Sequence, residues 1–180
     1  LYNNIIGDLS STAFTSASYP YLAATCIYLP SGATTNNLYN NTLYFGAVTS
    51  SGANAAYYGI YANTTPTTLL QNNLVVNLAT PKGSGKAVAY GRSSTTLTSY
   101  STSSNNNSFY GTSGLFWDGT NNYTTLAAYK TAMSTRDQIA YNENPTFSST
   151  TGSSSTYLHI PAGSTTTPLE SGGITVALFN

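Results

Sequence analysis

The chain has 180 residues, of which 73 are serine, threonine or asparagine, whereas only 6% are charged and the formal net charge is zero. This balance argues against nucleic acid or a charged membrane surface as a partner. Hydrophobic residues make up 40% of the chain and 16 residues are tyrosine, which is untypical of disordered proteins. Length and composition together predict one folded β-rich domain with a sizeable core.

An asparagine pair followed by a short apolar run recurs along the chain, at intervals of 37, 32 and 34 residues. A repeat of this length indicates stacked supersecondary units. The alternative is chance pairing in an asparagine-rich chain, but each pair precedes aromatic or branched residues. The four pairs are Asn3-Asn4, Asn40-Asn41, Asn72-Asn73 and Asn106-Asn107.

A second set of apolar clusters recurs at a spacing similar to that of the asparagine pairs, at residues 26–29, 59–62, 87–90 and 114–117. Each cluster is short and bounded by turn residues, which favours a strand over a helix. We therefore expect two strands per repeat, and we expect these four clusters to form one parallel sheet. Stacking in register would place Val75 between Leu43 and Phe109, so the pattern predicts a parallel β-solenoid.

The asparagines suit the corners between strands, because asparagine tolerates the left-handed backbone conformation and its amide bonds to nearby backbone. Stacked asparagine amides can also form a ladder from one repeat to the next. Cys26 lies inside the apolar stretch 24–29, so we expect a buried structural thiol. No run of about 18 apolar residues occurs, so no membrane span is predicted.

The repeat of asparagine pairs and apolar clusters ends before Gly119, and a different pattern follows. Residues 123–136 carry the apolar period of a short helix, with Asn121 or Asn122 as its N-cap. Strands are predicted near residues 144–147 and 157–160. We thus interpret 1–180 as one domain, with repeated coils over 1–118 and a terminal coil and closing segment over 119–180.

The tail resembles a recurring ending of right-handed parallel β-helix proteins exported by Bacteroidetes-type bacteria. The residues that carry the resemblance are TLAAYK at 125–130, RDQIAYNENPTF at 136–147 and TYLHIPAGSTTTPLESGGITV at 156–176. The resemblance implies an all-β fold, a right-handed parallel β-helix (solenoid) with coils of about 27–37 residues and one short helix near 123–136. It also implies a secreted or cell-surface protein similar to substrates of the type IX secretion route, many of which are adhesins while others degrade polysaccharides.

The family ending commonly continues into an Asp-Gly-Asp-Arg segment and an Asp-Ile-Gly-Ala tail, which this sequence does not contain. We therefore expect a fragment of a longer chain. The N-terminal end would then be covered by more protein, because the apolar side chains of Ile5 and Ile6 could pack against a further coil.

An active site on this fold would need clustered acids. A lyase needs carboxylates for calcium and a basic residue, and a hydrolase needs two carboxylates about 5 to 10 Å apart. No two acids lie within four residues, and only Asp118 with Asp137 or Glu143 could meet across coils.

His159 is interpreted as structural, and Arg136 with Asp137 as an ion pair or loop brace. No catalytic residue, metal site or cofactor is predicted. The five acids are Asp8, Asp118, Asp137, Glu143 and Glu170.

Two functions therefore remain open. The first is a noncatalytic extracellular or cell-surface structural or adhesive module that forms filaments or binds glycans weakly, with Trp117, Asp118 and Tyr123 as candidate glycan-contact residues. Its partners would be further coils, copies of the same protein, or a polysaccharide. The alternative is the C-terminal part of a polysaccharide lyase or glycoside hydrolase whose catalytic coils lie upstream. Ice binding is disfavoured, because threonine does not recur at one position of successive repeats.

Overall fold

The computed structural model describes residues 1–14, 18, 20–32, 34–163, 167–169 and 172–176. Short strands dominate these residues, and a single helix follows the last of them. The elements are β1 (Ile5–Ile6), β2 (Leu22–Leu29), β3 (Thr35–Tyr39), β4 (Thr42–Phe45), β5 (Ala56–Ala62), β6 (Thr67–Gln71), β7 (Leu74–Asn77), β8 (Ala87–Arg92), β9 (Ser108–Gly111), β10 (Gly114–Trp117), β11 (Asn122–Tyr123) and α1 (Leu126–Met133).

The strands form three sheets. One sheet has the order β1-β4-β7-β9, a second has the order β11-β10-β8-β5-β2, and the third consists of β3 and β6. Pairs of these strands are parallel except for β10 with β11, which is antiparallel.

The predicted fold class, a single right-handed parallel β-helix (solenoid) with coils of about 27–37 residues, is wrong. The structure is a mixed arrangement of three sheets and one helix, and one sheet contains an antiparallel pair. Two local features account for the difference. The strands β3 and β6 form a third sheet, whereas only two strands per repeat were predicted. A turn after Trp117 then reverses the chain and returns β11 antiparallel to β10.

The predicted strand partners are confirmed where the sequence repeat is clearest. Val75 of β7 pairs with Leu43 of β4 on one side and with Phe109 of β9 on the other. The clusters at 26–29, 59–62, 87–90 and 114–117 lie in β2, β5, β8 and β10, which are parallel neighbours in one sheet. Even spacing of apolar runs therefore identified which strands pair.

Other predicted elements need correction. The pattern missed β3 and β6, because their threonine and asparagine residues resemble loop composition. The helix is confirmed in place but spans only Leu126–Met133, and its N-cap is Thr125, whose hydroxyl accepts from the Ala128 N–H, rather than Asn121 or Asn122. No strand forms at 144–147 or 157–160, where the backbone makes only an isolated bridge from Tyr157 to Ser149.

The main hydrophobic core is built from strands of all three sheets and from α1. Val75, Phe109 and Tyr90 are fully buried in it, and the rings of Phe109 and Tyr90 stack with centroids 5.9 Å apart. Tyr129 of α1 adds an edge contact to Phe109 at 5.7 Å. The helix thus covers the core next to β9 and β10. Among the described residues, no helix is long and apolar enough to cross a membrane.

Cys26 lies on β2 and packs against the core as expected, although it is half-buried rather than fully buried. Burial raises the pKa of its thiol to about 12, despite a hydrogen bond to the Tyr44 backbone that acts in the opposite direction. A thiol with so high a pKa stays protonated at neutral pH and is a poor nucleophile.

Gly59 of β5 offers a test of how closely β5 and β7 pack. An added Cβ at Gly59 would lie 2.1 Å from Val75 Cγ1 and 2.6 Å from the Ala89 carbonyl oxygen, whereas one at Gly46 would lie 3.7 Å from its nearest neighbour. We expect Gly59→Ala to lower the free energy of unfolding by about 1–3 kcal/mol. Gly46→Ala should change it by less than about 0.5 kcal/mol. Urea unfolding followed by circular dichroism measures both, and equal effects would contradict this packing.

Candidate functional site

The four asparagine pairs organise one side of the molecule. The first member of each pair has a left-handed backbone, with φ of 54° to 58°, as the sequence predicted. We call these first members the outer row: Asn3, Asn40, Asn72 and Asn106. The second members form what we call the inner ladder together with an aspartate: Asn4, Asn41, Asn73, Asn107 and Asp137.

The inner ladder is a directed series of hydrogen bonds, which confirms the predicted amide ladder. The Nδ2 of Asn4 donates to Asn41 Oδ1 at 2.8 Å, and Asn41 donates in the same way to Asn73 at 2.9 Å. Asn73 continues the series to Asn107 at 2.9 Å. In each of these pairs the backbone N–H of the donor residue also bonds the same oxygen, at 3.0 to 3.1 Å. Each carboxamide oxygen therefore accepts two hydrogen bonds from the preceding asparagine.

Asp137 closes the inner ladder. Its Oδ1 accepts from Asn107 Nδ2 at 2.7 Å, and its Oδ2 accepts from the hydroxyls of Tyr100 and Tyr129. A carboxylate has no N–H to pass on, so the series ends here. The side chain is fully buried, and this burial raises its pKa although the three hydrogen bonds favour the charged form. Burial, and then the charge of Asp137, raise the pKa of both tyrosines well above the ordinary value.

The opposite end of the inner ladder is open. Asn4 donates both to Asn41 and to the Tyr2 carbonyl, but its own Oδ1 accepts no hydrogen bond from the described residues. The ladder therefore has a direction: among the described residues the Oδ1 of Asn4 has no donor, and at the other end Asp137 only accepts. A group that continued it at Asn4 would have to bring N–H donors.

The predicted glycan-contact residues lie at the end of β10, in the turn that follows it and on β11. Trp117 is partly exposed, and the Nζ of Lys86 lies 4.9 Å from the centroid of its ring. Tyr123 donates its hydroxyl to Asp118 at 2.9 Å, and its ring stacks on Phe116 with centroids 5.6 Å apart. Tyr123 therefore lies on the core side of the sheet with Phe116, whereas Trp117 packs against the separate cluster that contains Tyr58 and Val88, and Asp118 is buried. The structure does not bring the three residues into one exposed patch.

Asp118, however, serves the turn that reverses the chain. Its carboxylate accepts from the N–H groups of Thr120 and Asn121 at 2.9 and 2.6 Å, and from Asn121 Nδ2 at 3.0 Å. Burial alone would raise the pKa of Asp118, but these hydrogen bonds and that of Tyr123 outweigh burial and lower it. A carboxylate held charged by so many donors stabilises a turn rather than transferring protons.

Of the other acids, Asp8 accepts a hydrogen bond from the Gly152 N–H at 2.7 Å. Glu143 has a buried oxygen without a partner among the described residues, and Glu170 lies outside them. Across the described part of the chain, no group of three His, Cys, Asp or Glu residues could hold a metal ion.

The sequence predicted the role of one arginine and missed that of another. Arg136 does brace a loop, because its Nε donates to the Tyr100 carbonyl at 2.5 Å and its Nη2 to the Leu97 carbonyl at 3.1 Å. Arg92 is fully buried, donates to the Tyr90 hydroxyl at 3.1 Å and to Ser99 Oγ at 2.9 Å, and was not predicted as a core residue. Its position at the end of the apolar run Ala87–Arg92 was the available signal.

Comparison with known proteins adds no relative to this description. No family model, curated protein or solved structure matches the chain. The resemblance to exported surface proteins therefore stays a prediction. The features that bear on function are the inner ladder, the partly exposed Trp117 and the sheet edges.

Asp137 and Asp118 should affect stability with opposite dependence on pH. Because the folded pKa of Asp137 is raised, its contribution is present at low pH and is lost as the pH rises from about 3.9 through the folded pKa. The folded pKa of Asp118 is lowered, so its contribution is present above about 3.9 and is lost as the pH falls through the folded pKa.

Urea unfolding of wild type, Asp137→Asn and Asp118→Asn between pH 3 and pH 8 tests this pair, in steps fine enough to follow each titration. The stability of wild type relative to Asp137→Asn should fall as the pH rises. The stability of wild type relative to Asp118→Asn should increase over the same range. Parallel pH dependence of the two differences would contradict the assigned directions.

Proposed function

We propose that the protein is a noncatalytic structural or adhesive module of an extracellular or cell-surface assembly, and that it joins further protein through the edge formed by β1 and β2. The observation that carries the proposal is the polarity of the inner ladder. One end is closed by Asp137 and covered by Tyr129 of α1, whereas at the other end the Oδ1 of Asn4 accepts no hydrogen bond from the described residues. A module with one closed and one open end suits addition of protein at the open end.

The strand edges at the open end support the same role. β1 and β2 are the outermost strands of their sheets, so one side of each strand lacks a neighbour among the described residues. Ile5 and Tyr28 on these strands are each 49% exposed. A cavity of about 260 Å³ lies beside them and is lined in part by Ile27 and Leu38. Unpaired strand edges beside apolar surface are sites where another chain adds strands.

The chemistry of the interior also favours a structural role. The buried ionisable side chains Asp137, Asp118 and Arg92 each bond to several groups that hold strands, turns or loops in place. Groups committed in this way have few lone pairs or protons left for a substrate. The low surface charge permits close contact between modules, because few charges need to be desolvated.

Weak glycan binding remains part of the proposal, with Trp117 as the contact residue, since Asp118 is buried and Tyr123 packs on the core side of the sheet. The indole of Trp117 is partly exposed beside Lys86. The Lys86 ammonium lies over the indole ring, so a sugar would bind at the exposed part of Trp117, with the ammonium as a hydrogen-bond donor to its hydroxyl groups.

Association through the β1 and β2 edge can be tested with single lysine substitutions. We expect purified protein to form larger species as its concentration rises, and Ile5→Lys or Tyr28→Lys to shift it to monomer, because a charge on an edge strand opposes further pairing. Ile139→Lys is the matched control, since Ile139 has the same 49% exposure and lies outside β1 and β2. Size-exclusion chromatography with light scattering measures the mass.

A wild-type protein that stays a monodisperse monomer at every concentration would count against the proposal. So would equal loss of association in Ile139→Lys, because that result would indicate contact through general apolar surface.

Catalysis is tested separately. We expect no release of reducing or unsaturated ends from acidic or neutral polysaccharides, because the carboxylates of Asp118 and Asp137 already accept structural hydrogen bonds. Chromatography of oligosaccharide products measures the reaction. Turnover that disappears in Asp118→Asn, while circular dichroism shows the variant still folded, would overturn the noncatalytic role in favour of a lyase or hydrolase.

A further inference from the structure

The outer row holds a segment of main chain that comes from far along the sequence. The side-chain amide of Asn72 makes two hydrogen bonds to one residue: its Nδ2 donates to the Ile174 carbonyl at 2.7 Å, and its Oδ1 accepts from the Ile174 N–H at 3.0 Å. Asn106 Nδ2 donates to the Gly172 carbonyl at 2.9 Å. These hydrogen bonds involve only backbone N–H and carbonyl groups of the segment, which nearly every peptide has.

The hydrogen-bonding capacity of the row is not exhausted. Asn106 is only 7% exposed, and its buried Oδ1 accepts no hydrogen bond from the described residues, although Asn106 Nδ2 also donates to Asn72 Oδ1 at 2.9 Å. Asn40 has the same left-handed backbone, is exposed, and makes no side-chain hydrogen bond within the described chain. A cavity of about 200 Å³ connects these asparagines with the segment around Gly173.

We propose that the outer row is a binding site for an extended peptide main chain, and that residues 172–176 are a ligand segment that occupies it within the same chain. A pair of hydrogen bonds like the pair between the Asn72 side chain and Ile174 requires an extended backbone whose N–H and carbonyl are both available on one edge. It tolerates many different side chains on that backbone. Asn72 and Asn106 present their amides to the ligand segment, while the next asparagine of each pair, Asn73 or Asn107, bonds within the inner ladder.

Gly172 determines whether the ligand segment reaches the row. An added Cβ at Gly172 would lie 2.0 Å from the Pro168 carbonyl oxygen, so the turn that delivers the segment cannot form with alanine there. An added Cβ at Gly173 would meet Asn72 at 3.8 Å, which is an ordinary contact. Gly172→Ala should therefore empty the site while leaving the asparagines intact, and Gly173→Ala is the matched control.

Hydrogen exchange of the Ile174 amide tests occupancy by the ligand segment in the full chain. Gly172→Ala and Asn72→Gly should each accelerate this exchange by about tenfold or more, because both remove the bond that protects the amide. Gly173→Ala and Asn40→Gly should leave it unchanged. Glycine at residues 40 and 72 keeps the left-handed backbone accessible, so the two variants differ only in the side chain removed. Unchanged exchange in Asn72→Gly would overturn the assignment.

Binding of a separate peptide tests the site itself. A fluorescein-labelled peptide of sequence GGITV should bind Gly172→Ala about tenfold more tightly than wild type, whose site is occupied by its own segment. Asn72→Gly in the Gly172→Ala background should remove this binding. No binding to Gly172→Ala, or equal binding to both variants, would overturn the proposal. Neither result depends on the β1 and β2 edge, so failure here leaves the association experiment to be judged separately.

Discussion

The directed hydrogen bonds of the inner ladder are the constraint on which the rest of the structure depends. At each corner the chain leaves one sheet and enters another, and the backbone N–H of Asn4, Asn41 or Asn73 bonds to the next asparagine side chain instead of to a strand. An unpaired buried N–H is costly, so each asparagine stabilises the corner of its neighbour as well as its own. The ladder thereby sets the spacing at which β4, β7 and β9 pair and at which Val75 meets Leu43 and Phe109.

The same constraint explains why the closed end of the molecule is built as it is. A ladder of amides has to stop at a group that accepts without donating, and Asp137 is such a group. Burying its carboxylate is unfavourable, which the raised pKa reflects, and the hydroxyls of Tyr100 and Tyr129 partly offset that cost. Tyr129 lies on α1, so the helix both covers the core and supplies a hydrogen-bond donor to the Asp137 carboxylate.

The two rows of asparagine divide structural and interactive roles. The inner ladder is almost wholly satisfied within the protein, whereas Asn72 and Asn106 of the outer row bond to backbone from residues 172–176. The open strand edges at β1 and β2 lie at the free end of the ladder, so the two proposed contact regions use different surfaces. Both rely on hydrogen bonding and apolar contact rather than charge, in keeping with a chain that is only 6% charged.

The sequence by itself determined the strand partners and the left-handed corners, because short apolar runs, asparagine pairs and their spacing are local properties of the chain. It did not determine the division into three sheets, the polar strands β3 and β6, or the reversal at Asp118, because these depend on which backbone groups find partners after folding. The role of Asp137 was also hidden, since the ladder it closes is assembled from residues about 30 positions apart. The contact of Asn72 with Ile174 joins residues 102 positions apart, and only the tertiary structure could decide it.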